Sequence, residues 1–286
     1  MTRPFLLSAR LLSTTAARPL PPWAAAGIGV SATVALWWLA AATVLSGVGA
    51  SADGSGGAVP TPPEVLGQLA RDGVGFYWPN LAVTTAEASA GYLWGNAAAL
   101  LLSASVLVLP SLERLVTQLA VISYCLPIVA IGPLAFIVIG SPARGESSGT
   151  AVLLAGISVF FTTVVGALSA LKSADQASLD LVAVYGGGRF KQLVKVQLIS
   201  ALPGILTALK IAVPAAVLGA VLGEYVGGVD RGIGPALVNA QQNLEIARAW
   251  GVALVAGLLA GAGYGVFAAI SRFVAPWSAG RPGASR

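Results

Sequence analysis

Residues 147–172 read SSGTAVLLAGISVFFTTVVGALSALK, and they carry no charge between Glu146 and Lys172. Crossing about 30 Å of hydrocarbon takes about 20 residues of α-helix, so this run is long enough to span a bilayer. It is too long for a barrel strand and lacks strict alternation. The same reading extends outward. Residues 19–52, 88–112, 115–143 and 249–271 are uncharged, and 196–223 holds only Lys210. Six transmembrane helices follow, near 24–47, 88–110, 115–139, 149–171, 200–225 and 249–273. The fold class is all-α membrane protein. Composition agrees: 56% of the 286 residues are apolar and 9% are charged, against about 25% charged in soluble domains. The chain has no histidine and one cysteine, Cys125. That excludes a His base, a His metal ligand, an intrachain disulfide and a multi-thiolate zinc site. Pores, carriers, receptors and scaffolds are left. Cys125 reads as a small buried hydrophobe.

Directly after the quoted run comes the loop 172–199. Ser178 to Tyr185 and Arg189 to Leu198 read as two short helices, separated by Gly186-Gly187-Gly188. In the first, Leu179, Val182 and Ala183 make an apolar patch, with Asp180 near the N-terminal end, where the helix dipole favours an acid. In the second, Phe190, Leu193, Val194 and Leu198 recur at helical spacing among Arg189, Lys191, Lys195 and Gln197. Glycine permits a sharp reversal. Two readings fit the pattern equally: a small projection with an apolar tip, or an amphipathic element lying on lipid.

Lys and Arg in the loops set orientation. With the N-terminus cytoplasmic, inner segments carry eleven basic residues and outer ones four, Arg71, Arg144, Arg231 and Arg248. Both termini are therefore expected inside. The net charge of +5 reflects this bias, and no nucleic-acid partner is expected. Residues 1–22 are rich in Arg and Ser, and no acid precedes Asp53. That resembles a transit peptide or leader, with Val48-Gly49-Ala50 as a cleavage pattern. The apolar run after Arg18 exceeds a 7–15-residue signal core, so a retained first helix is expected. Ala50 to Ala58 reads as flexible. Pro62-Pro63-Glu64 should start a short surface helix over 63–71. Gly47-x-Gly49-x-x-Ala52 mimics a dinucleotide fingerprint, but it ends a membrane span with no strand before it.

Within the spans, Gly91/Gly95, Gly219/Gly223 and Gly257/Gly261/Gly265 are four apart, a spacing that lets helices approach closely in lipid. Pro127 and Pro133 should kink the third span. Asn96, Gln118, Ser123 and Tyr124 could line a pathway or bond between helices, as could Ser158, Thr162 and Thr163. Lys210 is expected to snorkel to the inner surface. Glu224 could belong to an outer gate, pair with Arg231, or end a solvated helix.

Asp180 to Arg189 resembles the loop signature of ABC importer permeases. Asp180 stands at the Glu of its Glu-Ala-Ala, Leu181 and Val182 at the alanines, and Gly186 at its Gly. Leu126-Pro127-x-x-Ala130-x-x-Pro133-Leu134 resembles the third-span pattern of nitrate/sulfonate/taurine-type permeases. Thr84 to Tyr92, Glu224 with Gly232-Ile233-Gly234, Pro276-Trp277 and Pro60 to Leu66 resemble further elements of that family. The resemblance spans about residues 60–277. It implies a type I import permease in a bacterial inner membrane. Residues 1–22 would be a cytoplasmic segment, 23–47 the first span, 48–86 an extracytoplasmic loop, 87–277 the permease core and 278–286 a cytoplasmic tail. The loop 172–199 would couple to a separate ATPase through Asp180, Val182, Ala183, Gly186, Arg189, Phe190 and Lys191. Pathway or gate candidates are Asn96, Ser123, Tyr124, Pro127, Pro133, Ser158, Thr162 and Glu224. The implied partners are a second permease copy, two ATP-binding subunits, an extracytoplasmic solute-binding protein and membrane lipid. This chain has no G-x-x-x-x-G-K-[ST], so ATP and Mg would sit on the partner, and no catalytic residue, metal or cofactor is expected here. The resemblance favours a small anion. Relatives carrying pyrimidine or flavin precursors give an alternative, and a self-sufficient ion-coupled carrier or channel another.

Overall fold

The computed structural model describes residues 21–49, 57–143 and 146–278. Most of the N-terminal segment 1–22, the 50–56 stretch with Ala50 and Ala52, Arg144 and nearly all of the 278–286 tail lie outside the described residues. The chain divides into two units, Met1–Pro63 and Glu64–Arg286. The first unit contains α1 (Pro22–Ala42), with Pro22 at the first helical position, where a missing N–H costs nothing. The helix gives way to turns five residues before the expected end at 47, and the Ala58 amide closes back on the Val48 carbonyl at 2.7 Å.

The second unit is built from helices, and no strand occurs among the described residues. The first is α2 (Pro62–Val108), broken at Gly73, whose φ of 66° and ψ of 177° lie where only glycine sits without strain. The piece before the break is the short helix expected over 63–71. Beyond it the chain is helical at once, so much of the expected loop 48–86 is helix. Residues 73–86 are uncharged, and Phe76, Tyr77 and Leu81 pack on Ile233, Ala236 and Val252. Glu87 is therefore no boundary of the span. It sits inside the helix and is fully buried.

The expected third span is two helices, α3 (Glu113–Cys125) and α4 (Ile128–Ile139), meeting at 96°. Pro127 stands at the corner in extended conformation (φ −66°, ψ 110°) and caps α4. Pro133 lies within α4 without breaking it. Cys125, at the end of α3, is exposed and not buried. Then follow α5 (Gly149–Lys172), α6 (Gln176–Val184), α7 (Arg189–Gln192), α8 (Leu198–Val226), α9 (Ile233–Gln242) and α10 (Ile246–Val274). Among the described residues five helices are long and apolar enough to cross a membrane, or six if the bent α3–α4 pair is one span.

The centre of this unit is the pair α5 and α8. A Cβ on Gly219 would lie 2.7 Å from the Leu154 carbonyl oxygen and 2.8 Å from the Ala155 Cα. On Gly223 it would meet the Ala151 amide nitrogen at 2.9 Å. On a neighbouring face of α5, a Cβ on Gly95 would come within 2.8 Å of the Gly156 Cα. Small residues thus let three backbones meet where no hydrophobic force pulls helices together. The third stripe behaves differently: a Cβ on Gly257, Gly261 or Gly265 would meet nothing within 4 Å, so these glycines do not pack among the described residues. At one end of the unit, Arg248 on α10 grips Asp72 with Nη2 at 2.8 Å and Nε at 3.0 and 3.1 Å. It also meets Glu245, and Gln68 and Tyr77 donate to Asp72.

Gly223→Val is expected to destabilise the chain by about 1–3 kcal/mol through overpacking, whereas Gly261→Val should change stability by less than about 0.5 kcal/mol. Thermal unfolding of both variants in mild detergent checks the contrast.

Candidate functional site

Helices α6 and α7 form the two arms of the expected glycine-turned element. Asp175 caps α6, its Oδ2 accepting the Ser178 amide and hydroxyl, each at 3.1 Å. Asp180 is not the dipole acid. It lies mid-helix, exposed, and accepts from Gln176 Nε2 at 2.9 Å. The helix ends in a Schellman arrangement: Gly187 N–H donates to the Val182 carbonyl at 2.8 Å and Gly186 N–H to the Ala183 carbonyl at 2.9 Å. This motif needs a left-handed residue, which Gly186 supplies with φ of 74°. Gln192 on α7 donates back to the Leu179 carbonyl at 3.0 Å. The second arm does not stop. It passes through a π-helical turn, Leu193–Gln197, straight into α8. Leu193 is buried with Leu171 and Ala201, so the element is rooted between the ends of α5 and α8.

Its free surface differs from the expected patch. Val182 is half-buried beside Gly187, and Ala183 is exposed. The most exposed large apolar groups are Val184, Tyr185 and Phe190, at 83%, 82% and 67%, and Leu181 is exposed as well. Arg189 and Lys191 flank them, also exposed. An apolar tip beside two cations, on a corner fixed by hydrogen bonds, suits docking into a partner groove better than filling an interior.

The pathway candidates do not converge on one place. Asn96 is buried and accepts from Thr163 Oγ1 at 2.5 Å while donating to the Tyr92 carbonyl, so this pair ties α2 to α5. Ser123 and Ser158 donate to carbonyls of their own helices. Thr162 is half-buried on α5. Tyr124 is exposed, with its ring 4.4 Å from that of Phe161. Pro127 stands at the α3–α4 corner and Pro133 within α4. Lys210 is half-buried, with Nζ 5.2 Å from the Tyr264 ring centroid.

Glu224 is buried and ends no solvated helix. Its Oε2 accepts the Gly234 amide at 2.7 Å, while Arg231 is exposed. The Gly-x-Gly element wraps around the acid: a Cβ on Gly232 would lie 2.5 Å from Glu224 Oε2, and one on Gly234 2.7 Å from its Cβ. Beside it, Asn80 Oδ1 and Thr84 Oγ1 accept the Gly232 and Ile233 amides at 3.0 and 2.9 Å. Glu87 Oε1 accepts the Ser148 amide at 2.5 Å. The sequence reading overlooks Glu87 because it treats the residue as a boundary charge. The usable signal was an acid with fourteen uncharged residues before it and twenty-five after.

Residues 91–279 match the family described as "Binding-protein-dependent transport system inner membrane component". The chain belongs to this family of ABC importer permease subunits. It is 28% identical over 191 residues to a "Probable ABC transporter permease protein" of Haemophilus influenzae, covering 65% of this chain and 74% of that one. It is 26% identical over 156 residues to the "Formylaminopyrimidine transport permease protein ThiX" of Halalkalibacterium halodurans, covering 54% and 60%. Among solved structures it resembles the inward-facing MetNI methionine ABC transporter, with a TM-score of 0.53 and 20% identity over 75% of this chain and 99% of that one. The fold is that of a type I ABC importer permease.

Gly186→Pro removes a donated hydrogen bond and cannot adopt the required φ, so it should release the corner and speed tryptic cleavage at Arg189 and Lys191. Gly186→Asn, which tolerates the left-handed region, should stay close to wild type in the same proteolysis assay.

Proposed function

We propose that this chain forms half of the translocation pathway of an ATP-driven importer and that the α6–α7 projection docks on a separate ATP-hydrolysing subunit. Two copies would make the pathway, two ATPases would carry ATP and Mg, and an extracytoplasmic binding protein would deliver solute. Both termini would face the cytoplasm of a bacterial cell. The observation that carries this reading is the hydrogen-bonded corner with Val184, Tyr185 and Phe190 in solvent, rooted through Leu193 on α5 and α8. An apolar knob that remains exposed is a surface awaiting a partner. Because α7 continues into α8, a push on the knob moves a whole spanning helix. ATP-driven closure of the partner can then bias a two-state equilibrium of the spans.

Val184→Asp and Phe190→Ala leave every described hydrogen bond of the corner intact. Each is expected to reduce co-purification of the ATPase by about tenfold or more, which corresponds to about 1.4 kcal/mol, with unchanged thermal stability of the permease. Full solute-stimulated ATP hydrolysis in both variants would overturn the docking reading. Transport by the reconstituted chain alone would favour the ion-coupled carrier instead.

Two solute classes stand. The sequence motifs favour a nitrate-, sulfonate- or taurine-like anion. The likeness to a formylaminopyrimidine permease supports an uncharged heterocycle, as does the apolar character of the spans. An anion in low dielectric calls for cationic partners, and among the described residues Lys210 is the one cation near the middle of a spanning helix, already set against Tyr264. The cavity of about 320 Å³ between α2, α8 and α10 offers Thr85, Ser89, Tyr92 and Phe267, which suit a neutral ring. With its binding protein present, the complex should hydrolyse ATP faster with formylaminopyrimidine than with nitrate or taurine. The reverse order would restore the anion.

A further inference from the structure

Leu244, in the turn between α9 and α10, has a φ of 57° and is 81% exposed. Among the described residues no other residue except glycine has a positive φ. The turn is a Schellman close: the Glu245 amide donates to the Ala240 carbonyl at 2.8 Å and the Leu244 amide to the Gln241 carbonyl at 3.1 Å. The left-handed position of this motif ordinarily takes glycine or asparagine, because a Cβ crowds the following carbonyl there. The turn after α6 obeys that rule with Gly186. A bulky residue in this region is a backbone outlier, and such strain concentrates at functional sites. Leu244 is not buried against the chain, so interior packing does not account for it.

The tip has a consistent setting. Asn239, Gln241, Gln242 and Asn243 around it are exposed, and no residue between Arg231 and Glu245 is charged. An apolar centre with a neutral polar rim is the anatomy of a protein interface. Its base is braced, because Glu245 meets Arg248, which grips Asp72 with Nη2 at 2.8 Å. Lys210 of α8 stands over Tyr264 of α10, and Val213 lies against Gly263, so the two helices run antiparallel. From that level α8 continues thirteen residues to Val226, whereas α10 reaches back seventeen to Ile246. At about 1.5 Å per residue, α10 begins about a turn beyond the end of α8. Leu244 therefore projects from the end of the unit opposite the α6–α7 knob, which is rooted at the start of α8.

We propose that Leu244 is the anchor on which an extracytoplasmic solute-binding protein docks, with the α9–α10 corner as its seat. This rests on the importer reading above, which puts the α6–α7 knob in the cytoplasm and the α9–α10 corner outside. The family is described as binding-protein-dependent, and a partner that delivers solute from outside meets this end of the unit. A load on Leu244 reaches α10 through Glu245 and Arg248, and α2 through Asp72. Those two helices also wall the cavity of about 320 Å³, so docking and the cavity share their supports.

The test uses the intact complex in proteoliposomes, with the solute-binding protein that stimulates ATP hydrolysis by the wild type. Leu244→Gly and Leu244→Asn both suit a left-handed position. Each should match or exceed wild-type thermal stability, co-purify with the ATPase and keep basal ATP hydrolysis. Each should raise the binding-protein concentration for half-maximal stimulation by about tenfold, as loss of an interface anchor does. Leu244→Met keeps the apolar bulk and should stay near wild type. An unchanged half-maximal concentration in both the Gly and Asn variants overturns this docking site and leaves the importer reading standing. Lower thermal stability or lost basal hydrolysis in Leu244→Gly also overturns it, because Leu244 would then be structural. So does a photoreactive residue at position 244 that labels lipid alone, which would put the tip on the membrane. If no solute-binding protein stimulates the wild-type complex, the importer reading falls and this inference falls with it.

Discussion

Gly219 and Gly223 bring the backbone of α8 against that of α5 with no side chain between them, and the rest of the second unit is arranged on that contact. In lipid no solvent expels apolar side chains, so helices associate by close van der Waals packing and by internal hydrogen bonds. Gly91 and Gly95 seat α2 on a neighbouring face of α5 around Ala155 and Gly156, and α3 adds Val116 and Ala120 to Val164 and Leu168. A methyl group at Gly219 or Gly223 would part the central pair, and the helices leaning on it would lose their seat.

The same solvent demands that buried polar groups find partners inside the protein. This chain meets the demand by placing acids on helix starts. Glu87 serves α5 and Glu224 serves α9, while Asn80 and Thr84 take the amides of the glycine loop. At the α6–α7 corner, the orphan carbonyls of α6 are closed by Gly186 and Gly187. These are local solutions, and each one fixes the end of a helix. The projection is rigid within itself and continuous with α8, so force on its tip is not absorbed in a loose loop.

Much of this was legible in charge spacing. The runs 149–171, 200–225 and 249–273 match α5, α8 and α10 to within a few residues, because an uncharged run in a membrane chain has few alternatives. The glycine turn at 186–188 was legible for the same reason: three glycines between two amphipathic patterns leave a reversal. Other features needed the tertiary structure. Glu87 looked like the end of a span because burial of an acid depends on the Ser148 amide, sixty-one residues away. The corner at Pro127 looked like a kink, since sequence marks the lost donor and not the angle. Asp175 and Asp180 are equally plausible caps until the first helical residue is known. Gly257, Gly261 and Gly265 share the spacing of the packed stripes but face open space. Spacing signals that backbones can approach, not that a partner helix is there.

The proposed coupling to ATP requires the exposed knob of α6 and α7 to meet a separate ATPase. A photoreactive residue at position 184, activated in membranes of cells expressing the intact transporter, reports that contact without disturbing the corner. The expected product is a covalent adduct with an ATP-binding chain, strengthened when nucleotide closes that chain. Adducts to lipid alone would overturn the docking reading and place the knob on the membrane surface.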